Sequence, residues 1–331
     1  MEMIAVDTII VGGGPAGSSC AWALRKRGFD CLILDRAAFP RLKLCAGWVT
    51  PQVLQDLEIQ PGEYPLSFLT FEALRFSFKG LGFRLRTTQH SIRRIEFDAW
   101  LLRRSGAPVA THNVRAIRQE GDGYVIDDQY RCRHLVGAGG TPCPVHRALF
   151  RELAPRRPGR QAAVLEEEFP CQWHDGTCRL WFFEWGLPGY SWYVPKAGGH
   201  LNVGVGGMAQ KLKARGDAIG PHWRRLQDKL VGRGLVATRS WDSGGYTYYV
   251  RGKQDVTHHG RAYLAGDAAG LATTDLAEGI GPAVRSGIAV GEAIAAGTEP
   301  SFAGIGRRSV PAMLKEHGGW PLRLAKCVGW A

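Results

Sequence analysis

The chain has 331 residues, of which 45% are hydrophobic, and its 42 Lys and Arg residues against 30 Asp and Glu residues give a formal net charge of +12. This hydrophobic content excludes disorder over most of the chain, and 44 glycines without a regular period exclude a collagen-like fold. The length predicts one large domain or two closely associated domains. The basic residues form short, dispersed runs without a recognition motif, so we expect no nucleic-acid partner.

The sequence contains no predicted targeting segment, membrane span or metal site. Its longest uncharged stretch, residues 8–24, is rich in glycine at its centre and follows the acidic residues Glu2 and Asp7. The eight cysteines include no C-x-x-C pair, which argues against a zinc site or a disulfide framework. These features favour a cytoplasmic protein and leave open a weak peripheral contact with anionic lipid.

The first 36 residues predict two strands joined by a glycine-rich turn and a helix. Residues 4–11 are apolar and β-branched, which is typical of a buried parallel strand. Residues 18–27 predict a helix that ends at Gly28, and residues 31–34 predict a second strand that ends at Asp35. This order of elements is typical of a dinucleotide-binding unit.

The turn in this unit has the pattern G-x-G-x-x-G. Gly12 permits a tight bend, Gly14 lets the backbone approach a pyrophosphate, and Gly17 lets the helix pack closely on the strand. The N-terminus of the helix offers free N–H groups to the phosphates, and Asp35 can accept hydrogen bonds from ribose hydroxyls. The turn predicts a dinucleotide site, without deciding between NAD and FAD.

The middle of the chain predicts a mostly antiparallel sheet inserted twice into the nucleotide-binding domain. Alternating apolar residues over 71–88 predict a hairpin. Further strands are predicted at 162–169, 178–185, 190–195, 200–206 and 240–250. Residues 210–231 predict a charged amphipathic helix that covers the sheet, and His258-His259 is predicted to lie in an exposed loop.

A second candidate cofactor segment follows the predicted strand 261–265. Gly266-Asp267 at the end of this strand places a carboxylate where it suits a polyol chain. A helix then runs to about residue 296, and Gly279 and Gly281 precede it. Its N-terminus would stabilise negative charge at a flavin N1–C2=O group, which favours FAD over a plain NAD enzyme.

In order along the chain, the turn at residues 12–17, residues 94–101 and residues 266–270 resemble the FAD-dependent oxidoreductases of the p-hydroxybenzoate hydroxylase fold. Three more segments are similar to those of the geranylgeranyl reductase branch, namely residues 44–51, 190–196 and 276–280. The resemblance implies an α/β fold in which a Rossmann-like FAD-binding domain carries an inserted, mostly antiparallel β-sheet substrate domain. We assign residues 1–66, 89–160 and 251–331 to the FAD-binding domain and residues 67–88 and 161–250 to the substrate domain.

Motifs and resemblance together imply a set of FAD-binding residues. They are Gly12, Gly14, Pro15, Ala16, Gly17, Asp35, Arg36, Cys45, Ala46, Arg94, Val114, Gly139, Gly266, Asp267, Gly279, Ile280 and Gly281. The resemblance places Cys45 beside the flavin as a candidate catalytic proton donor, and the backbone near Val114 at the adenine. Tyr190 and Trp192 are candidates for lining an apolar substrate cavity, the alternative being packing of the sheet core.

Several positions depart from the pattern of the family. Ala46 replaces the first Gly of a Cys-Gly-Gly segment, and Leu276-Ala277 stands where Thr-Gly is usual. The Asp-Gly pair of the aromatic hydroxylases reads Gly139-Gly140 here, which argues against a standard NADPH-using hydroxylase. The apolar and basic residues 320–330 predict either a membrane contact or a lid.

The leading hypothesis is an FAD-dependent reductase that acts on a carbon–carbon double bond of an apolar, prenyl-like small molecule. Flavin N5 would deliver hydride, and Cys45 or a water would supply the proton. One alternative is a flavin-dependent monooxygenase or halogenase, with Lys79 as the amine to test. Another is a flavin-binding electron-transfer protein that serves a redox partner. NAD(P)H is left open as a transient reductant.

Overall fold

The computed structural model describes residues 3–253 and 255–315. The strands are β1 Ile4–Val11, β2 Cys31–Asp35, β3 Trp48–Val49, β4 Phe68–Phe78, β5 Leu81–Ile92, β6 Val109–Thr111, β7 Ile117–Glu120, β8 Gly123–Ile126, β9 Tyr130–Gly137, β10 Gln161–Pro170, β11 Arg179–Phe182, β12 Gly189–Lys196, β13 His200–Met208, β14 Gly244–Tyr249, β15 His258–His259 and β16 Ala262–Leu264. The helices are α1 Pro15–Lys26, α2 Pro51–Asp56, α3 Arg94–Arg104, α4 Ala209–Ala214, α5 Ile219–Gly232, α6 Ile280–Ala296 and α7 Val310–Lys315.

The first sheet has the strand order β15-β16-β9-β1-β2-β6, with the β7-β8 hairpin attached to β9. The pairs from β16 to β6 are parallel, and β15 pairs antiparallel with β16. Helices α1 and α6 touch backbone to backbone, because a Cβ on Gly287 would lie 2.1 Å from the Ala16 carbonyl oxygen. The carboxyl ends of β1, β2 and β16 meet at one edge of this sheet. The glycine-rich turn, Asp35 and Gly266 are therefore neighbours at that edge.

The second sheet has the strand order β14-β10-β13-β12-β11-β4-β5-β3. Its pairs are antiparallel apart from β11 with β4, which are parallel. One face, called here the floor, carries a core cluster that includes Val164, Tyr190 and Trp192 and also takes in Leu276. The opposite face packs against α5. Through Leu276 the floor cluster includes a residue of the segment between β16 and α6. The edge of the first sheet that carries the glycine-rich turn, Asp35 and Gly266 is called here the flavin-binding edge, after the cofactor expected from the sequence.

This architecture confirms the predicted fold, in which a Rossmann-like domain is joined to a mostly antiparallel sheet. The predicted helix over 210–231 was wrong, because the chain turns at Gly216 in the left-handed region and forms two helices. The loop expected at His258-His259 was also wrong, because the turn at Gly260 folds these residues onto β16. The proposed domain boundaries stay a prediction.

Two further expectations concern membranes and the C-terminus. Within residues 3–253 and 255–315, none of the helices combines the length and the hydrophobicity needed to cross a bilayer. The predicted contact or lid at residues 320–330 lies outside the described residues.

Candidate functional site

The turn between β1 and α1 brings the backbone within reach of a ligand. Gly12 has φ 111°, and a Cβ there would lie 2.4 Å from the Ala138 carbonyl oxygen. A Cβ on Gly17 would lie 1.8 Å from the Gly12 carbonyl oxygen. At Gly14, in contrast, the nearest atom is an Arg41 nitrogen at 3.7 Å, so this side of the turn is open. The open side faces a helix N-terminus, which suits a phosphate.

Asp35 is buried at the mouth of this turn. Its Oδ2 accepts a hydrogen bond from the Gly13 N–H at 2.7 Å, and its Oδ1 accepts one from the Ala37 N–H at 3.0 Å. These bonds fix the carboxylate next to the turn, where acceptor capacity remains for ribose hydroxyls. Arg36, the next residue, is exposed.

Arg41 is a candidate phosphate ligand that the sequence analysis missed. Its guanidinium lies 3.7 Å from Asp35, 3.8 Å from Asp98 and 4.6 Å from the centre of the Phe39 ring. A planar cation held over the open side of Gly14 can bind a pyrophosphate in a bidentate way. The sequence offered no signal for Arg41, because its role depends on a loop that folds back over the turn.

Gly266 and Asp267 lie where α1 and α6 begin. A Cβ on Gly266 would lie 3.0 Å from the Ala16 Cβ and 3.2 Å from the Ala283 Cβ, and the Gly266 N–H donates to the Ser286 hydroxyl at 2.9 Å. Burial raises the pKa of the Asp267 carboxyl, and the positive charges of Lys43, Arg94 and Arg156 oppose that shift. The carboxyl therefore lies among cations at the flavin-binding edge.

The N-terminus of α6 is closed by a residue that the sequence analysis did not single out. Glu278 Oε1 accepts a hydrogen bond from the Gly281 N–H at 2.6 Å. Desolvation raises the pKa of Glu278 to about 7, and the charge of Asp275 adds to this effect. The Gly281 N–H is thus hydrogen-bonded within the chain. An ideal Cβ placed on Gly279 would lie 3.3 Å from Asp267 Oδ1. Ile280, the first residue of α6, is buried.

Residues 41–47, called here the bridging segment, connect the nucleotide edge to the floor. Arg41 reaches the glycine-rich turn, and Lys43 Nζ lies 4.4 Å from the centre of the Tyr246 ring on β14. Leu44 fills the space over Gly244, where a Cβ would lie 2.4 Å from its Cδ1. The bridging segment therefore lies across the junction between the two sheets.

Lys196, the last residue of β12, binds the backbone next to and within the bridging segment. Its Nζ is fully buried and donates hydrogen bonds to the carbonyl oxygens of Ala46 and, at 2.9 Å, Ile92. Desolvation lowers the pKa of Lys196 to about 8, opposed by the charges of Glu168 and other acidic neighbours. Gly47 has φ 61° and passes directly over Nζ, since a Cβ there would lie 2.6 Å from it.

Cys45 is half-buried within this segment. Its Sγ accepts a hydrogen bond from the Gly47 N–H at 3.4 Å. The Arg94 guanidinium faces the thiol and donates to Asp98 at 2.7 and 2.9 Å. Burial disfavours the charge of Arg94, yet Asp98 and Cys45 outweigh burial, so the pKa of Arg94 is raised. Arg94 is therefore a buried cation beside Cys45 and not part of a surface ion pair.

Tyr190 and Trp192 are buried on the floor. The Tyr190 hydroxyl donates to the Leu276 carbonyl oxygen at 2.6 Å, and the Trp192 Nε1–H donates to Asn202 Oδ1 at 2.7 Å. Ala46 of the bridging segment packs against the same cluster. The structure thus brings the two predicted substrate residues close to the segment that carries Cys45. Their rings are apolar, and their polar atoms are hydrogen-bonded within the protein.

The other predicted residues occupy different places. Pro15 and Ala16 form the buried first turn of α1, while Gly139 follows β9 at the flavin-binding edge. The Val114 side chain is buried in the core beneath that edge. Lys79 lies at the β4–β5 turn and lines a surface cavity of about 430 Å³ with Phe183, Glu184, Trp185, Lys229 and Arg233. That set includes no residue of the glycine-rich turn or the bridging segment, so Lys79 is not brought to the site.

The residues at this edge fit an FAD molecule. The open side of Gly14 and the Arg41 guanidinium suit the pyrophosphate, Asp35 suits the adenosine ribose, and Asp267 suits the ribityl chain. The glycine contacts at Gly12 and Gly266 leave no room for larger side chains there. The isoalloxazine ring would then lie between the start of α6 and the bridging segment.

Comparisons with known proteins agree with this geometry. Residues 10–49 match the family of NAD(P)-binding Rossmann-like domains. The chain is 28% identical to digeranylgeranylglycerophospholipid reductase 2 of Methanopyrus kandleri, covering 80% of this chain and 70% of that protein. It is 27% identical to the menaquinone reductase of Mycolicibacterium smegmatis, covering 94% and 80%.

A solved structure extends the likeness to the fold. The geranylgeranyl bacteriochlorophyll reductase-like protein of Thermoplasma acidophilum superposes with a TM-score of 0.77 at 20% identity, covering 89% of this chain and 80% of that one. Flavin-dependent halogenases also share the fold. The fold alone therefore does not distinguish a reductase from a halogenase. The distinction depends on the residues of the site.

Proposed function

We propose that this chain, an FAD-dependent oxidoreductase of the geranylgeranyl reductase-like branch of the p-hydroxybenzoate hydroxylase fold, reduces a carbon–carbon double bond of an apolar, prenyl-like substrate. One observation carries the proposal. The bridging segment holds Cys45 between the FAD-binding edge and the buried aromatic floor. The similarity to a digeranylgeranylglycerophospholipid reductase and to a menaquinone reductase supports the substrate class.

Different residues would bind the cofactor and supply the proton. Arg41 and the N-terminus of α1 would hold the pyrophosphate, Asp35 the ribose and Asp267 the ribityl chain. When bound, FAD supplies hydride transfer from its reduced ring. Cys45 then holds a proton at Sγ, beside the Arg94 guanidinium, for the second carbon of the double bond.

The floor would bind the substrate chain. Tyr190 and Trp192 present ring faces while their polar atoms are engaged elsewhere, so an isoprenoid chain meets apolar surface. These rings pack with one another and with Phe182, and a substrate chain laid on them would displace water from the reacting carbons. Water exclusion protects the reduced flavin and strengthens the electrostatic contacts at Cys45.

We also propose that transiently bound NAD(P)H is the electron donor. The glycine-rich turn after β1 would be occupied by FAD, so the nicotinamide cofactor would have to approach the flavin from another side. Anaerobic mixing of the oxidised protein with NADH or NADPH tests this directly. Loss of the flavin absorbance with either nucleotide supports that nucleotide as the electron donor. If neither bleaches the flavin, a redox partner protein becomes the donor to test.

The main experiment uses the flavin as its own indicator. The protein is reduced with dithionite without oxygen and mixed with prenylated alkenes, and flavin reoxidation is followed by absorbance. We expect reoxidation with an alkene, slowed by about 10²-fold or more in Cys45→Ser. Cys171→Ser is the matched control, because Cys171 lies with the core on the opposite face of the sheet. Equal rates for Cys45→Ser and the wild type would refute the role of Cys45.

A further inference from the structure

Glu166 on β10 is a buried carboxyl that the proposed mechanism does not yet use. The residue is 1% exposed, and within residues 3–253 and 255–315 neither carboxyl oxygen makes a hydrogen bond of ordinary geometry, although the Asn202 side chain lies near enough to stabilise the carboxylate. Its two neighbours in the run of three glutamates are paired. Glu167 accepts from the Asp242 N–H at 2.9 Å, and Glu168 accepts from Arg93 at 2.8 Å. A buried carboxyl without a well-formed hydrogen bond calls for a reason, because desolvation of the charged form is costly.

The sheet aims Glu166 into a recess on the floor. Glu166 alternates in phase with Ala162 and Val164, which belong to the floor cluster. Its cross-strand neighbours are glycines on both sides, Gly204 on β13 and Gly244 on β14. Because neither neighbour has a side chain, residues from other segments can approach Glu166 over both glycines.

Two side chains cover this recess. The Trp192 indole extends over Gly204, where a Cβ would lie 2.2 Å from the ring, and Leu44 of the bridging segment extends over Gly244. Glu166 thus lies between a candidate substrate residue and the segment that carries Cys45. The recess belongs to the same site as the proposed chemistry.

The charges around the recess set the protonation of Glu166. The polar and titratable groups that interact with it are Lys43, Glu168, Lys196, Asn202, Tyr246 and Tyr248, and three of these, Lys196, Tyr246 and Tyr248, also interact with Cys45. Desolvation raises the pKa of Glu166 to about 7, and Lys43 and Asn202 oppose this shift. Near neutral pH the carboxyl therefore both holds and releases a proton.

We propose that Glu166 is the proton reservoir of the site, which returns a proton to Cys45 after each reduction. This inference rests on the proposed function. Hydride passes from the reduced flavin to one carbon, and the S–H bond of Cys45 breaks as a C–H bond forms at the other. The O–H bond of Glu166 then breaks and the thiol re-forms, directly or through one water. The carboxylate takes a proton from solvent before the next cycle.

The test separates the first turnover from later ones in the flavin-loaded protein. In Glu166→Gln, the first reoxidation of the reduced flavin by an alkene keeps the wild-type rate, since Cys45 already carries its proton. Later turnovers slow by about tenfold or more. The wild-type steady-state rate falls as pH rises through about 7, and this inflection is absent in Glu166→Gln. Glu167→Gln, one residue away on the opposite face, keeps the wild-type profile.

A second readout does not depend on turnover. The infrared C=O band of a protonated carboxyl should be lost in Glu166→Gln and should titrate near pH 7 in the wild type. Absence of this band, or an unchanged pH profile in Glu166→Gln, would overturn the inference. The inference would also be overturned if Glu166→Gln slowed the first and the later turnovers equally. If no alkene reoxidises the wild-type flavin, the proposed function fails and the reservoir role fails with it, whatever the infrared band shows.

Discussion

The ammonium group of Lys196 donates a hydrogen bond to the carbonyl oxygen of Ala46, the residue that follows Cys45. Lys196 ends β12, the strand that also carries Tyr190 and Trp192. A single buried side chain thus ties the floor to the backbone beside the candidate proton donor. This bond fixes the backbone of Ala46, which packs against the floor, next to Cys45.

Replacing Lys196 with Met should change how stability depends on pH. Desolvation lowers the pKa of Lys196 to about 8, from an ordinary value near 10.5. Between these pH values Lys196 binds more protons in the unfolded chain than in the folded one, so its contribution to the free energy of unfolding rises with pH. Relative to Lys196→Met, the rise should approach about 1.4 kcal/mol per pH unit.

Urea unfolding of both proteins from pH 7 to 10 measures this difference. Lys213→Met, at an exposed position on α4, should run parallel to the wild type. Parallel curves for Lys196→Met as well would show that Lys196 titrates normally, contrary to the structure.

Asp35→Asn should weaken FAD binding. The substitution replaces a charged acceptor of the ribose hydroxyls with a neutral one and weakens the Gly13 N–H bond that positions it, and hydrogen bonds to charged groups contribute about 1.5–3 kcal/mol. Fluorescence titration of the apoprotein with FAD should show the Kd raised by about tenfold or more. Asp30→Asn is the control, because the Asp30 side chain is exposed. An unchanged Kd in Asp35→Asn would remove Asp35 from the cofactor site.

Gly47→Ala should destabilise the protein strongly. Gly47 has φ 61°, and a Cβ there would lie 2.2 Å from the Ile92 carbonyl oxygen and 2.6 Å from Lys196 Nζ. We expect a loss of about 2 kcal/mol or more in the free energy of unfolding. Gly62→Ala provides the comparison, since a Cβ there meets no atom within 4 Å. Similar stabilities of the two variants in urea would contradict the close packing of the bridging segment.

Lys79→Ala should leave alkene-dependent flavin reoxidation unchanged. Lys79 lies at a hairpin turn and lines a surface cavity formed with Trp185 and Lys229, apart from the bridging segment. A halogenase or oxygenase that used this amine would lose activity in the variant. Assays of the reduced protein with alkene, and separately with oxygen and halide, distinguish these outcomes. Loss of a halide-dependent product in Lys79→Ala would favour the halogenase alternative.

The local parts of the site were accessible from the sequence. The glycine-rich turn, α1 and Asp35 follow from residue type and spacing within one short segment, and the structure places them at one edge. The register of β10 and β12 also contained usable information. Glu166 falls in phase with Val164, and Lys196 falls in phase with Trp192, so both could have been assigned to the floor.

Other parts depend on contacts between distant segments. Arg41 gains its role because its loop folds over Gly14, and Glu278 because it turns back onto the Gly281 N–H. The break between α4 and α5 depends on Gly216, whose left-handed backbone competes with a helical pattern on both sides. Pattern and propensity describe such places poorly, because through-space contacts decide them.

The mass of the product formed by the reduced protein and a prenylated alkene without oxygen tests the proposed reduction most directly. We expect a product heavier by two hydrogens, formed at one equivalent per flavin reoxidised. A flavin that stays reduced with every alkene and forms an oxygenated or halogenated product once air is admitted would contradict the proposed reduction.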